Sequence, residues 1–252
     1  MGSAILKGYK VGGGHMSYIS ILDPYMKPEV AAELNINALY RNHSEIPKGL
    51  KFSTVVFATK PQVFKDASRF VANILAENTL IISIMAGVSC QQITQCIGRN
   101  MPVVRCMPNM AAAVQLSVNV AYTTDVAYKF EFENLFRGSG PVRWINGEED
   151  IHATTAISGS GPAYFFAFIE ALSNAGVKSG LDPMFALDLS IDTFIGASEL
   201  MKQGRTPKKL RESVTSKGGT TAAGLNQFTE NDSLNKLVMK VVAAAKQRSI
   251  EL

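Results

Sequence analysis

Thr54-Val55-Val56-Phe57-Ala58-Thr59-Lys60-Pro61-Gln62 is the stretch that decides the fold class. Its first five residues form a continuous, mostly apolar run rich in β-branched side chains. Such a run reads as a strand buried on both faces, as in parallel sheets covered by helices. Thr59 and Lys60 then bring polarity, and Pro61 suits the first turn of a helix. A helical pattern follows from about Val63 to Leu75. The same order repeats next. Leu80–Ile84 reads as a buried strand ending at Met85-Ala86-Gly87, before a helix from the N-cap Ser89 to Ile97. Val103–Met107 is a further strand, stopped by Pro108-Asn109. Upstream, Tyr18–Leu22 is β-prone and Lys27–Leu34 helix-prone. Downstream, Val118–Tyr122, a helix over Val126–Phe136 and Val142–Ile145 extend the sheet. The alternation predicts an α/β domain with a parallel sheet.

The pattern changes after Gly147-Glu148-Glu149-Asp150. Ala163–Ala175, Met184–Lys202 and Asn235–Leu252 carry helical apolar spacing, and Pro207 starts another short helix. Two domains are therefore expected, 1–150 and 151–252, the second all-α. That second domain is thin for an independent core, and its long apolar helices predict burial against a second copy.

Composition narrows the function classes. The 252 residues are 46% hydrophobic and 18% charged, enough apolar content for a sizeable core. A net charge of +4, with the basic residues dispersed, gives no nucleic-acid footprint. Cys90, Cys96 and Cys106 show no C-x-x-C spacing, and His15, His43 and His152 no metal-ligand spacing, so no metal site is predicted. With no signal peptide and no apolar run of membrane-spanning length, a cytoplasmic protein is expected.

In open parallel sheets, ligands bind outside the C-terminal ends of the strands. Asp23 ends one strand. It reads equally as an acceptor for an adenosine ribose or as a turn aspartate. Lys60 reads as a phosphate or nicotinamide neighbour or as a solvated loop lysine. Gly12-Gly13-Gly14 precedes a strand rather than following one, so it is a turn and not a dinucleotide loop. Ser158-Gly159-Ser160-Gly161-Pro162 lacks the preceding strand and the histidine partner of a nucleophile elbow. Val214-Thr215-Ser216-Lys217-Gly218-Gly219-Thr220-Thr221 gathers hydroxyls and adjacent glycines between helical segments. It reads either as a seat for a small carboxylate or phosphate, or as a capped helix connection.

Five segments together resemble the pyrroline-5-carboxylate reductases. They are Ala58-Thr59-Lys60-Pro61-Gln62, Met85-Ala86-Gly87-Val88-Ser89, Arg105-Cys106-Met107-Pro108-Asn109, Ser158–Tyr164 and Leu210–Leu225. The resemblance spans essentially the whole chain. It implies a Rossmann-type domain binding NADPH or NADH and an all-α domain that forms a homodimer and assembles further into a decamer. It implies cofactor contacts at Gly2, Ser3, Ala58, Lys60, Pro61, Ala86 and Gly87. It implies that Ser216, Gly218, Gly219, Thr220 and Thr221 hold the carboxylate of a small cyclic imine, with Thr221 nearest the reacting nitrogen. The implied reaction is reduction of 1-pyrroline-5-carboxylate to L-proline. The different-class alternative is a non-catalytic or truncated paralogue that dimerises without cofactor.

The chain departs from the pattern in three places. The family has a strand and Gly-x-Gly before the point corresponding to Met1. That strand is central in a 3-2-1-4-5 order, so its two flanking strands are expected to lack a shared partner. Lys217 stands where the family has proline, and Met110 where it usually has threonine.

Overall fold

The computed structural model describes residues 1–252. Strands β1 (Ser20–Leu22) and β2 (Ala38–Tyr40) pair in parallel as a two-stranded sheet. β3 (Phe52–Phe57), β4 (Leu75–Ser83), β5 (Val103–Met107), β6 (Asn119–Thr123) and β7 (Val142–Trp144) form a second sheet in that order. No ladder joins β1 to β3.

The helices of this region are α1 (Gly2–Val11), α2 (Pro28–Leu34), α3 (Pro61–Val71), α4 (Cys90–Ile97), α5 (Lys129–Phe136) and α6 (Asp150–Thr154). Leu80, Ile81 and Ile82 on β4 are fully buried, so both faces of the larger sheet need a cover. Period-two alternation divides them. Ile81 and Val103 join Phe64 of α3 and Ile93 of α4 in one core cluster. Leu80, Ile82 and Val104 join Ile5 of α1 with Phe132 and Phe136 of α5 in the other. A glycine in α1 serves close packing. A Cβ at buried Gly8 would lie 2.7 Å from the Ser139 nitrogen.

The sheet departs from the expectation at β6, which runs antiparallel to β5. A parallel return needs a crossover of a dozen or more residues, usually a helix. The β5–β6 link offers only the short 3-10 turn Met110–Val114. β2 was missed because three half-buried residues carry too little periodicity. β4 starts earlier than expected, at Leu75, because the preceding helix ends at Val71.

After the π-helical turn Thr155–Gly159 the remaining elements are α7 (Gly161–Lys178), α8 (Pro183–Met201), α9 (Pro207–Ser213), α10 (Thr220–Thr229) and α11 (Ser233–Ile250). Two compact units result. One is Met1–Gly159 with Ala245–Leu252, and the other Ser160–Ala244, a division later than residue 150 that returns the chain end to the first unit. Ser249 ties that end to the first unit through a 3.0 Å hydrogen bond with Nδ1 of His152. Within the second unit, α7 meets α8 through Phe165 and Phe194 and α10 through Phe168 and Phe228.

The short β1–β2 pair contains no buried residue. Its backbone amides are therefore expected to exchange at least ~100-fold faster than those of β4 and β5 in hydrogen-exchange mass spectrometry. Equal protection would mean that the two sheets open as one.

Candidate functional site

The C-terminal ends of β3 and β4 form a common rim. The Ile84 amide donates to the Phe57 carbonyl, and the Thr59 hydroxyl contacts the Met85 sulfur at 3.5 Å. Ala58-Thr59-Lys60 and Met85-Ala86-Gly87 are thereby neighbouring turns. Helix α1 starts at this rim: a Cβ on Gly2 would lie 3.1 Å from Cβ of Ala58. So Gly2, Ala58, Lys60, Pro61, Ala86 and Gly87, the positions implied by the family resemblance, lie along one edge of the first unit, with Ser3 in the first turn of α1.

The helix starts at this edge differ in their free donors. At α4, Ser89 Oγ accepts from the Gln92 amide and the Ser89 amide donates to Gln92 Oε1, a capping box. The Cys90 amide donates to Glu148 Oε1 at 2.8 Å. The start of α4 is thus satisfied from within the chain. At α1 no side chain caps the first turn, which contains no acidic residue. The first backbone hydrogen bonds there come from Ala4 and Ile5 to Met1, leaving the Gly2 and Ser3 amides without a partner in the helix. The start of α3, with Lys60 as N-cap and Pro61 at its first positions, also has no side-chain cap. Free amides, a positive helix end and a close glycine contact suit a diphosphate.

Gly87 needs its freedom for two reasons. Its φ is +72°, and a Cβ there would approach the Leu252 carbonyl carbon to 2.6 Å. Among the expected cofactor contacts, it is the one whose open side is shared with the last residue of the chain.

Arg105 and Glu148 are a feature that pattern reading missed. The Arg105 side chain is 4% exposed and its Nη1 lies 3.0 Å from Glu148 Oε1. The same carboxylate oxygen receives the Cys90 amide, so one buried pair joins β5, the start of α4 and the segment after β7. Burial first, and the Glu148 charge second, push the Cys90 thiol up to about 12, so Cys90 is no nucleophile at neutral pH. Asn109 is a second missed residue. Its side chain donates to the Ser158 carbonyl at 3.0 Å and its amide donates to Ser117 Oγ, fixing the β5 end to the π-helical turn. The motif Met-Pro-Asn was visible, but its structural partners lie far along the chain. Glu148→Ala leaves Arg105 charged and without its partner. Stability is expected to fall by on the order of 3 kcal/mol by urea titration, and a loss below about 0.5 kcal/mol would show the pair to be dispensable.

In the second unit, Gly218 has φ +73° and the Gly219 amide donates to the Ser216 carbonyl at 3.1 Å. Gly219 is the N-cap of α10 and supplies no side-chain cap. The first helical bond runs from the Ala223 amide back to Gly219, so the amides of Thr220, Thr221 and Ala222 precede it unpaired. A Cβ on Gly219 would collide with Ser216 Oγ, so glycine there lets the loop fold tightly. Ser216, Thr220 and Thr221 are exposed and Lys217 extends into solvent beside them. The loop thus offers free amides, three hydroxyls and one ammonium to a single small anion. No His, Cys, Asp and Glu grouping of three or more could hold a metal ion, and no helix is long and apolar enough to cross a membrane.

Residues 148–252 match the family description "Pyrroline-5-carboxylate reductase dimerisation". The pyrroline-5-carboxylate reductase of Pseudomonas aeruginosa is 33% identical over 258 residues, covering 100% of this chain and 93% of the relative. That of Arabidopsis thaliana is 37% identical over 202 residues, covering 79% and 72%. Among solved structures, a pyrroline-5-carboxylate reductase from Coxiella burnetii superposes with a TM-score of 0.89 at 28% identity, over 98% of this chain and 93% of that one. The Plasmodium falciparum enzyme with NADP bound gives 0.82 at 28% identity, over 100% and 94%. On this similarity, and with a Rossmann-like first unit and a helical second one, the chain belongs to the pyrroline-5-carboxylate reductase family.

Proposed function

We propose that this protein reduces 1-pyrroline-5-carboxylate to L-proline with NADPH or NADH, and that the residues gathered above bind the two reactants. The observation that carries the substrate half is the uncapped start of α10 behind the Gly218-Gly219 turn. A ring carboxylate seated there meets unpaired amides and the positive helix end. Ser216 and Thr220 add hydroxyl donors. Thr221 takes the position beside the imine nitrogen, where its hydroxyl accepts the N–H of the protonated ring.

The cofactor half rests on the first unit. The Gly2 and Ser3 amides receive the diphosphate, and Gly2 provides the close approach to Ala58. Lys60, Pro61, Ala86 and Gly87 line the neighbouring turns. When bound, the reduced nicotinamide supplies the hydride that adds to the electrophilic ring carbon. The reaction asks the chain to position two partners and keep the imine protonated, with no nucleophile or metal. The buried, high-pKa Cys90 and fully buried Cys106 agree with thiols that take no part. Three free cysteines fit a reducing cytoplasm.

Thr221→Ala is expected to lower kcat/KM for pyrroline-5-carboxylate about 10- to 100-fold, mostly through KM, with the thermal midpoint unchanged. Unchanged kinetics would remove Thr221 from the site. A purified protein that oxidises neither NADPH nor NADH with this substrate would instead favour the non-catalytic paralogue.

The exposed apolar helices of the second unit support a homodimer. α8 runs for 19 residues yet buries only Ala186 and Ser190. Leu187, Ile191 and Ile195, one helical turn apart, are 40%, 38% and 52% exposed. A stripe of this kind on a monomer requires a partner face. Ile191→Glu is expected to convert a dimer into monomer in analytical ultracentrifugation. A dimer that survives this change would place the interface elsewhere.

A further inference from the structure

We infer that Asp23 makes this protein prefer NADH to NADPH, an inference that rests on the cofactor reading above. Asp23 follows β1 directly. In dinucleotide-binding folds the residue at that strand end, about 20 residues beyond the glycine turn, meets the adenosine ribose.

The position is on the proper edge. Because β1 and β2 are parallel, α2 starts at the C-terminal end of β1 and finishes at the opposite rim. Lys10, in the last turn of α1, donates to the Glu33 carbonyl in the last turn of α2 at 2.6 Å, and Lys7 pairs with the Glu33 carboxylate at 3.0 Å. The last turns meet, so the first turns of both helices, with Gly2 and Asp23, share an end.

The carboxylate is held rather than loose. Asp23 Oδ1 accepts the amides of Tyr25 at 2.7 Å and Met26 at 3.1 Å. Asp23 also donates its own amide to the Tyr40 carbonyl at 3.0 Å. Oδ2 has no partner within the chain, and the residue is half-buried. Oδ2 is therefore left as an anionic acceptor for a ribose hydroxyl.

Arg41 is the cation that stands against this turn. Nη1 of Arg41, at the end of β2, donates to the carbonyls of Asp23 and Met26, so that part of the guanidinium braces the turn. The Arg41 amide donates to Glu45 Oε2 at 2.7 Å, which holds a second carboxylate beside the Arg41 backbone. Lys27 is exposed, and Glu29 lies in the first turn of α2. A 2′-phosphate carries nearly two negative charges and would stand against the Asp23 carboxylate, whereas a 2′-hydroxyl donates to it.

The test is equilibrium titration of the full-length protein with NADH and with NADPH, read by nicotinamide fluorescence. NADH is expected to bind at least ~10-fold tighter. Asp23→Asn keeps the acceptor for Tyr25 and Met26 but loses the charge. It should bring the two dissociation constants within about threefold, chiefly by tightening NADPH, with an unchanged thermal midpoint. Equal or tighter binding of NADPH by the unsubstituted protein, or an unchanged ratio in Asp23→Asn, overturns the role of Asp23. Binding of neither nucleotide overturns the cofactor reading itself, and the inference with it.

Discussion

The parallel ladder of β3, β4 and β5 is the constraint on which the first unit depends. On β4 and β5 the residues alternate between two faces and both alternating sets are apolar and buried, while β3 packs into one core cluster only and leaves Val56 exposed. Neither face can be left to water, so the chain returns over the sheet after each strand. Those returns put every turn from strand to helix on one edge. The edge then collects the polar and glycine residues the strands exclude. Thr59, Lys60, Ala86 and Gly87 lie together because Val55–Phe57 pairs in parallel register with Ile81–Ser83.

Helix starts supply the chemistry that this arrangement makes available. Each begins with backbone donors that need acceptors. At α4 the chain answers them itself, through Ser89, Gln92 and Glu148. At α1 in the first unit and α10 in the second it does not. One sheet edge and one helical loop thus each offer a place for a negative group. A diphosphate-bearing cofactor and a carboxylate-bearing substrate need one such place each.

The second unit follows a different logic. Its helices are apolar on more sides than their own packing uses, and α8 is the clearest case. With about 85 residues it cannot enclose that much apolar surface. The same shortage that leaves it incomplete as a monomer makes it suitable as a contact surface between copies.

The sequence by itself determined the strand-and-helix alternation of the first unit, the change to helices after residue 150, and the local glycine and hydroxyl motifs. These are properties of neighbours in the chain: periodicity, caps and turn residues act over a few positions. It also determined that the strand after β5 is a strand, but not its direction, because direction depends on how far the connecting segment reaches. Tertiary structure alone decided the Arg105–Glu148 pair, the Asn109–Ser158 bond and the return of residues 245–252 to the first unit. It also decided which helix starts remain free. Ser89 could be read as a cap, but Glu148 reaches the same turn from beyond β7. Asp23 shows both levels in one residue. Its position at a strand end was legible, and its Oδ1 is held locally by the Tyr25 and Met26 amides, while the bracing by Arg41 comes from the end of β2, a strand too short to read. Hydrogen bonds and ion pairs form between residues distant in the chain only once the buried ladder has brought them together, and no local pattern encodes that distance.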